Sequence, residues 1–374
     1  MESAQDSFLR ACRGVAATAD SGRTEAPAGV SLSDSQADIM IAESAELVVE
    51  AVQKVCLALR LRPPVPSTQV KLVGRRWWVR QTIEDYLPVW ERVVAAVERS
   101  STLSGEGSMP TPRMVRAAAD FPGGPIGVVG AMCGEMIGRC GERVLGQYDL
   151  PIPRRDVAQF AVLGDSAEKF ASSSKLPASE SRRWIVWQDA VRYVVLAQPA
   201  VREMVLQWIG ERVRLLVQKA PMGFAEELDR AVAASAGRGA ERGSSEPELA
   251  EWFKRLEGLK SRDIAESFGR LHAVIAATAW YLAVQVGFLR ESTEAQLREG
   301  AALGLRTEHP WGTAAGWWFG YLFDSEDYEQ GLRFVETLGA AGVSLGALWS
   351  SEQQLPRQSD LEEPRFWLER RSSA

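Results

Sequence analysis

Histidine and cysteine, the side chains that most often bind metals or act as nucleophile and base, are few and widely spaced in this chain. Its 2 histidines, His272 and His309, lie too far apart in sequence to form an H-x-x-x-H zinc helix. The 4 cysteines occur at positions 12, 56, 133 and 140, and no C-x-x-C pair is present. Most zinc, Ser-His and Cys-His schemes therefore lack a necessary residue, and we expect buried, reduced thiols and no bound cofactor.

Carboxylates are the other candidates for acid–base chemistry, and Glu84 and Asp85 form an adjacent acidic pair. Neighbouring side chains of a helix point about 100° apart, so these two side chains do not form a carboxylate dyad. We therefore expect both of them on a solvated helix face, and we assign no catalytic role to the pair.

The charge of the chain excludes some classes of partner. The net charge is −6, whereas a dedicated nucleic-acid binder normally has an excess of basic residues. The uncharged stretch Ala273–Leu289 is close to the minimum length of a membrane span, but it contains Thr278 and Gln285. We expect this stretch to form a buried helix, and we predict neither nucleic-acid binding nor a membrane span.

Helices must position any site, because apolar residues recur with a period of about 3.6, which predicts a mainly α protein with few or no strands. Hydrophobic residues make up 46% of the chain, enough for a large core. Helices are predicted at residues 37–62, 71–99, 154–171, 179–197, 199–218, 247–257, 261–289 and 326–341. In the fourth of these, Trp184, Trp187, Val191 and Val194 share one face and should be buried.

Composition divides the chain into two parts. Residues 1–35 are rich in Ser, Ala, Asp and Gly, which predicts a disordered N-terminal segment. Residues 36–370 are predicted to form one helical domain, with a flexible linker at 236–247 (AGRGAERGSSEP). The N-terminal residues show no basic segment followed by an apolar one, so we expect a cytoplasmic protein.

Glycines form a stripe along another predicted helix, between Pro125 and Gly146. They lie at positions 127, 130, 134, 138 and 141, with spacings of 3, 4, 4 and 3. Each glycine costs a helix interior about 1 kcal/mol relative to alanine, so the stripe needs a compensating contact. The close approach of a second helix would supply that contact.

Two further sequence patterns are distinctive. The first is the run Val144–Asp149 (VLGQYD), together with the later helical segment Trp184–Arg202. The second is a C-terminal series of Trp349, Leu355-Pro356, Glu362, Pro364, Trp367 and Arg370. Over about residues 40–370, the chain resembles the zincin-like metallopeptidases that are associated with biosynthesis of a deazaflavin coenzyme. The resemblance implies a zinc ion held by the two histidines of an H-E-x-x-H helix and by a later glutamate.

The residues that would hold and use this zinc are missing. Alignment on Pro199 places the H-E-x-x-H positions at Trp187, Gln188 and Val191, and the third ligand falls on Ala276. Trp, Val and Ala offer no lone pair to a metal, and Gln cannot replace Glu as the base that takes a proton from zinc-bound water. These four residues are predicted to be degenerate site positions, with zinc expected only in intact relatives.

The missing ligands favour a catalytically inactive homologue that binds a protein or peptide partner in the former cleft. Two alternatives stay open. One is an active hydrolase with a rebuilt site formed from Asp189, His272 and Glu266, which the two-helix arrangement of the family would bring near one another. The other is a structural subunit that self-associates through the glycine stripe, because the stripe would let two helices approach closely.

Overall fold

The computed structural model describes residues 3–21, 34–62, 69–102, 123–141, 144–155, 159–219, 262–290, 293–297 and 325–372. Within these ranges the chain is mainly α-helical, as the sequence predicts, with one pair of short strands. The predicted linker at 236–247 and the predicted helix at 247–257 lie outside the described residues. No helix in the described ranges is long and apolar enough to cross a membrane.

The helices follow one another along the chain in three groups. The N-terminal group contains α1 (Ala4–Ser21), α2 (Asp34–Leu59), α3 (Arg75–Asp85), α4 (Leu87–Thr102) and α5 (Gly124–Gly141). The central group contains α6 (Gly164–Ser174), α7 (Ala178–Leu196), α8 (Pro199–Lys219) and α9 (Arg262–Gln285). The C-terminal group contains α10 (Ser325–Ala340), two 3-10 turns (Leu345–Trp349 and Glu352–Gln354), α11 (Gln358–Glu362) and α12 (Arg365–Ser372).

Two short strands, β1 (Gln69–Val73) and β2 (Gln159–Leu163), pair in parallel and in register from end to end. The predicted helices at 71–99 and 154–171 are therefore wrong at these residues. The last four residues of β2 are all buried. A short strand that is buried on both faces has no polar alternation to distinguish it from a buried helix, which explains the error.

Residues 4–21 form helix α1, so the prediction of disorder over residues 1–35 is wrong for this part, and residues 22–33 lie outside the described residues. Phe8, Cys12 and Ala16 are buried, and the Phe8 ring lies 5.3 Å from the ring of Trp90. Cys and Ala are small and add little hydrophobicity to the sequence pattern. Their burial depends instead on a close backbone approach to α5, with which α1 makes extensive contact.

The glycine stripe of α5 makes this approach possible. A methyl group on Gly130 would collide with the backbone carbonyl of Phe8, and one on Gly134 would collide with that of Cys12. The close helix approach predicted from the stripe is confirmed, but the second helix is α1 of the same chain. Helix α1 covers the stripe at Gly130 and Gly134, and the alternative of self-association through the stripe stays a prediction.

The core around α7 is the part of the fold that positions the predicted site. Helix α7 packs on α2 and on α9, and α9 packs in turn on α10. Almost every residue of α7 from Trp184 to Leu196 is buried. Side chains of this helix therefore meet other protein groups on nearly every side, and little of the helix faces solvent.

Substitution of Gly134 by alanine tests the packing of α1 on α5. The added methyl group must push the two helices apart, so we expect Gly134→Ala to lower the free energy of unfolding by about 1–3 kcal/mol. Gly14→Ala on α1 is the matched control, because no atom lies within 4 Å of its added methyl group, and it should be neutral or stabilising. Chemical denaturation measures both variants, and a Gly134→Ala variant as stable as the native chain would contradict this packing.

Candidate functional site

Trp187 occupies the first predicted ligand position on α7 and is fully buried. Its indole Nε1 donates a hydrogen bond of 2.7 Å to the backbone carbonyl of Ala279 on α9. The centroid of its ring lies 4.3 Å from that of Phe288. Val191, the second predicted ligand position, is also fully buried, one turn further along α7. The face of α7 that would carry two zinc ligands is therefore packed as hydrophobic core.

The other two degenerate positions, Gln188 on α7 and Ala276 on α9, are half-buried. Ala276 precedes by about one turn the carbonyl that accepts the hydrogen bond of Trp187. Near it on α9, Trp280 packs edge-on against Trp184 of α7, with 5.6 Å between ring centroids. Tryptophan contacts therefore join α7 and α9 at the place where the resemblance would put a metal.

A zinc ion does not fit the residues at this place. Proteins bind zinc through the side chains of Cys, His, Asp and Glu. Positions 187, 191 and 276 carry an indole, an isopropyl and a methyl group, and the indole N–H already donates to a carbonyl. Across the ranges that the structure describes, no three His, Cys, Asp or Glu side chains form a group that could hold a metal ion. No zinc-dependent step is assigned to these residues.

Asp189 lies between two of the degenerate positions but binds a different part of the chain. One carboxylate oxygen accepts a hydrogen bond of 2.6 Å from the backbone N–H of Gln147, and the other accepts one of 3.1 Å from that of Tyr148. A Cβ atom on Gly146 would collide with this carboxylate, so the close approach requires glycine there. Asp189 therefore anchors the VLGQYD run to α7.

The VLGQYD run makes further contacts through both backbone and side chains. Gln147 Oε1 accepts a hydrogen bond of 2.7 Å from the backbone N–H of Ala161 in β2, and the Gln147 carbonyl accepts one of 3.2 Å from Trp78 Nε1 of α3. Asp149 accepts a hydrogen bond of 3.0 Å from Arg192 of α7. The run thus connects α3, β2 and α7 at one buried point.

A buried ion pair lies near this run, and sequence reasoning missed it. Arg154 Nη1 lies 2.8 Å from Asp85 Oδ2, and Arg154 Nη2 donates a hydrogen bond of 2.8 Å to Thr82 Oγ1. The guanidinium also lies 5.1 Å from the ring centroid of Tyr86. Asp85 is fully buried, so the expected solvated face is wrong for Asp85, whereas Glu84 is half-buried. No local sequence signal links residues this far apart.

Burial raises the pKa of Asp189 to about 7, from an ordinary value of 3.8. Arg192 and the two backbone N–H groups lower this pKa because they stabilise the carboxylate, while the charge of Asp149 raises it. A pKa near 7 suits proton transfer, but Asp189 is only 1% exposed and both of its oxygens already accept hydrogen bonds. The geometry therefore supports an anchoring role for this carboxyl group.

The rebuilt site expected as an alternative is not assembled as a metal centre. The carboxyl group of Asp189 binds the VLGQYD run, His272 is buried in α9, and Glu266 is exposed near the start of the same helix. These three residues do not form a metal-binding group in the described part of the chain.

A family model described as zincin-like metallopeptidase matches residues 15–368. The chain belongs to this family. The resemblance drawn from the VLGQYD run and the C-terminal series is therefore confirmed, and the match extends from α1 to α12. Membership of the zincin-like family establishes descent, and the positions predicted to carry the zinc ligands hold Trp187, Val191 and Ala276 in this chain.

A solved structure shares the architecture of this chain. It is the crystal structure of a Chloroflexus aurantiacus protein proposed to be a hydrolase with a novel fold. The two structures align with a TM-score of 0.61 over 98% of this chain and 99% of the other. Their sequences are 17% identical, so the likeness shows the fold alone. No curated protein matches the chain.

Replacement of Trp187 by phenylalanine tests the closure between α7 and α9. Trp187→Phe removes the indole N–H, leaves the Ala279 carbonyl without that donor and opens a small cavity. We expect it to lower the free energy of unfolding by about 2–4 kcal/mol. Trp184→Phe on the same helix is the control, because it makes the same change in ring size without removing the bond to Ala279. We expect Trp184→Phe to lower the free energy of unfolding by about half as much. Equal losses of unfolding free energy in the two variants would contradict a special role for Trp187.

The raised pKa of Asp189 predicts a pH dependence of stability. Between about pH 4 and pH 7 the folded state holds a proton that the unfolded state has lost, so the contribution of Asp189 to stability falls as pH rises through this range. We expect the difference in unfolding free energy between the native chain and Asp189→Asn to fall by roughly 2–4 kcal/mol from pH 4 to pH 7.5. Chemical denaturation of both proteins at the two pH values measures this difference. A difference in unfolding free energy that does not change with pH would contradict the raised pKa of Asp189.

Proposed function

We propose that this zincin-family protein is non-catalytic, binds no zinc at the ancestral position, and acts by binding a protein or peptide partner. The observation that carries the proposal is the fully buried Trp187, whose indole occupies the first ligand position and bonds to the backbone of α9. A catalytic zincin needs an open metal position for water and substrate. A packed tryptophan at this position removes both the ligand and the space.

The base of the reaction is absent as well. In an H-E-x-x-H helix the glutamate takes a proton from zinc-bound water, which requires a carboxylate. Gln188 has the shape of glutamate but carries a neutral amide that cannot accept the proton near pH 7. Loss of the ligands and loss of the base support the same conclusion from independent positions.

We place the partner outside the former cleft that the sequence favours, because the rings of Trp187 and Phe288 pack against each other there. A groove of about 450 Å³ lies between α2, the first turns of α7 and Arg290. Arg183, which lines the groove, lies 4.4 Å from the ring centroid of Phe288, whose ring is also the neighbour of Trp187. The groove and the packed Trp187 therefore share Phe288 as a neighbour.

Both signs of charge line this groove. Glu43, Glu46 and Glu50 lie on one face of α2, while Arg182 and Arg183 lie opposite on α7. The ion pairs across the groove are long, at 3.7 Å for Arg182 with Glu43 and 3.5 Å for Arg183 with Glu50. Long, partly exposed ion pairs contribute little to stability, so a peptide with basic and acidic side chains can replace them at low cost.

A cytoplasmic location belongs to the same proposal. The four cysteines, at positions 12, 56, 133 and 140, are all buried and form no disulfide. Burial raises the pKa of the Cys56 thiol to about 11, which keeps it protonated and unreactive near neutral pH. Unpaired thiols of this kind are typical of proteins in a reducing compartment.

Selection of a random peptide library against the native chain and against the double variant Glu46→Lys/Arg182→Glu tests this function. We expect the native chain to enrich peptides that carry both signs of charge, and the double variant to bind them at least about tenfold more weakly. Mass spectrometry should find the selected peptides intact after incubation with the native protein.

Two outcomes of this peptide selection would contradict the proposal. Equal enrichment by a correctly folded double variant would place the partner elsewhere and contradict the groove. Cleavage of the peptides by the native protein, absent from a Trp187→Phe preparation purified in the same way, would contradict the non-catalytic assignment. Thermal denaturation of each variant shows whether it is folded before the comparison is made.

A further inference from the structure

A separate cavity of about 440 Å³ lies between α8, α9 and the C-terminal segment. Met204 and Trp208 of α8 and Leu271 of α9 form an apolar side, and Pro356 of the C-terminal segment lies at the cavity as well. Cavities of this size hold small organic ligands in many proteins. Both Trp208 and Pro356 line the cavity, and the face of an indole is a surface on which a planar ring can stack.

The C-terminal series found in the sequence builds one wall of this cavity. Trp367 Nε1 donates a hydrogen bond of 2.7 Å to the Gln354 carbonyl, and Arg370 donates to the carbonyls of Gln353 and Leu355. These bonds fix the segment that leads into Pro356. The wall is therefore positioned before any ligand arrives, which reduces the entropy lost on binding.

The next turn of the segment is held as firmly. Asp360 accepts a hydrogen bond of 2.8 Å from the backbone N–H of Arg357, and Arg370 forms an ion pair with Asp360. Asp360 is 2% exposed, so this pair lies in a region shielded from water. Arg357 is thereby held at the cavity by its backbone, with an exposed side chain.

Charged side chains also line the cavity. Among the described residues of its lining, Arg270 of α9 and Arg357 are basic and Glu352 is acidic. Arg guanidinium groups bind carboxylates through paired, charge-assisted hydrogen bonds.

We propose that this cavity binds an aromatic carboxylate, with the ring against Trp208 and Pro356 and the carboxylate at Arg270 and Arg357. The site is distinct from the charged groove and from the former metal position, and its test does not depend on either. Arg270 Nη2 donates a hydrogen bond of 2.8 Å to Ser267 Oγ, and both residues line the cavity.

Isothermal titration of the full chain with 1-naphthoate and with 1-naphthylmethylamine tests this proposal. The two probes share a ring system and differ in the sign of their charge. We expect 1-naphthoate to bind with a Kd in the range of about 10–500 µM, and the amine to bind at least about tenfold more weakly. Equal binding of the two probes, or no binding of 1-naphthoate at millimolar concentration, would overturn the proposal.

Variants of residues that line the cavity show whether the probes bind there or at another surface. Arg357→Gln alters an exposed side chain and should weaken 1-naphthoate binding by about fivefold to tenfold with the fold intact. Trp208→Leu should weaken both probes by a similar factor, because it removes the stacking surface. Arg365→Gln, an exposed arginine on α12 outside the cavity lining, is the control and should bind as the native chain does. Binding of 1-naphthoate that is unchanged in Arg357→Gln and Trp208→Leu would overturn the assignment.

Discussion

Helix α7 holds the core together through two side chains that lie two positions apart. Trp187 bonds to the carbonyl of Ala279 and joins α7 to α9, while Asp189 binds two backbone N–H groups and joins α7 to the VLGQYD run. Both side chains are buried, so an unmatched polar atom at either one would carry a large desolvation cost. The fold around Trp187 and Asp189 therefore depends on polar groups that are satisfied within the protein.

The contacts that hold this zincin-like fold together also involve residues other than those at the predicted zinc-site positions. The VLGQYD run still connects α3, β2 and α7 through hydrogen bonds, and the C-terminal series still holds the final segment in place. The positions at which the resemblance predicts ligands and base contain Trp187, Gln188, Val191 and Ala276. Tryptophan is large enough to fill the space of a metal and its water, and its N–H finds an acceptor on the neighbouring helix.

Sequence reasoning found those features that depend on local spacing. The buried stripe of α7 and the close approach required by the glycines of α5 can both be read from residue types a few positions apart. Helix α1 was missed because the Ser, Ala, Asp and Gly content of residues 1–35 indicates disorder, although Phe8, Leu9, Cys12, Val15 and Ala16 recur at helical spacing and are buried. Strand β2 was missed because a short, fully buried strand lacks an alternating pattern.

The long-range polar contacts could not be predicted in the same way. Asp85 reaches Arg154, and Asp189 reaches Gln147 and Tyr148, across separations that no helical or strand period covers. An acidic residue that is going to be buried looks the same in a sequence as one that is going to be solvated. Its partner is set by packing of the whole fold, so only the three-dimensional structure identifies it.

Metal content of the natively purified protein is the measurement that tests the account most directly. If Trp187 closes the ancestral position, mass spectrometry should find less than about a tenth of an equivalent of zinc after dialysis, because no ligand set would retain it. Close to one equivalent of zinc, retained through dialysis, would contradict the account. It would mean that side chains other than those at positions 187, 191 and 276 hold a metal in this fold.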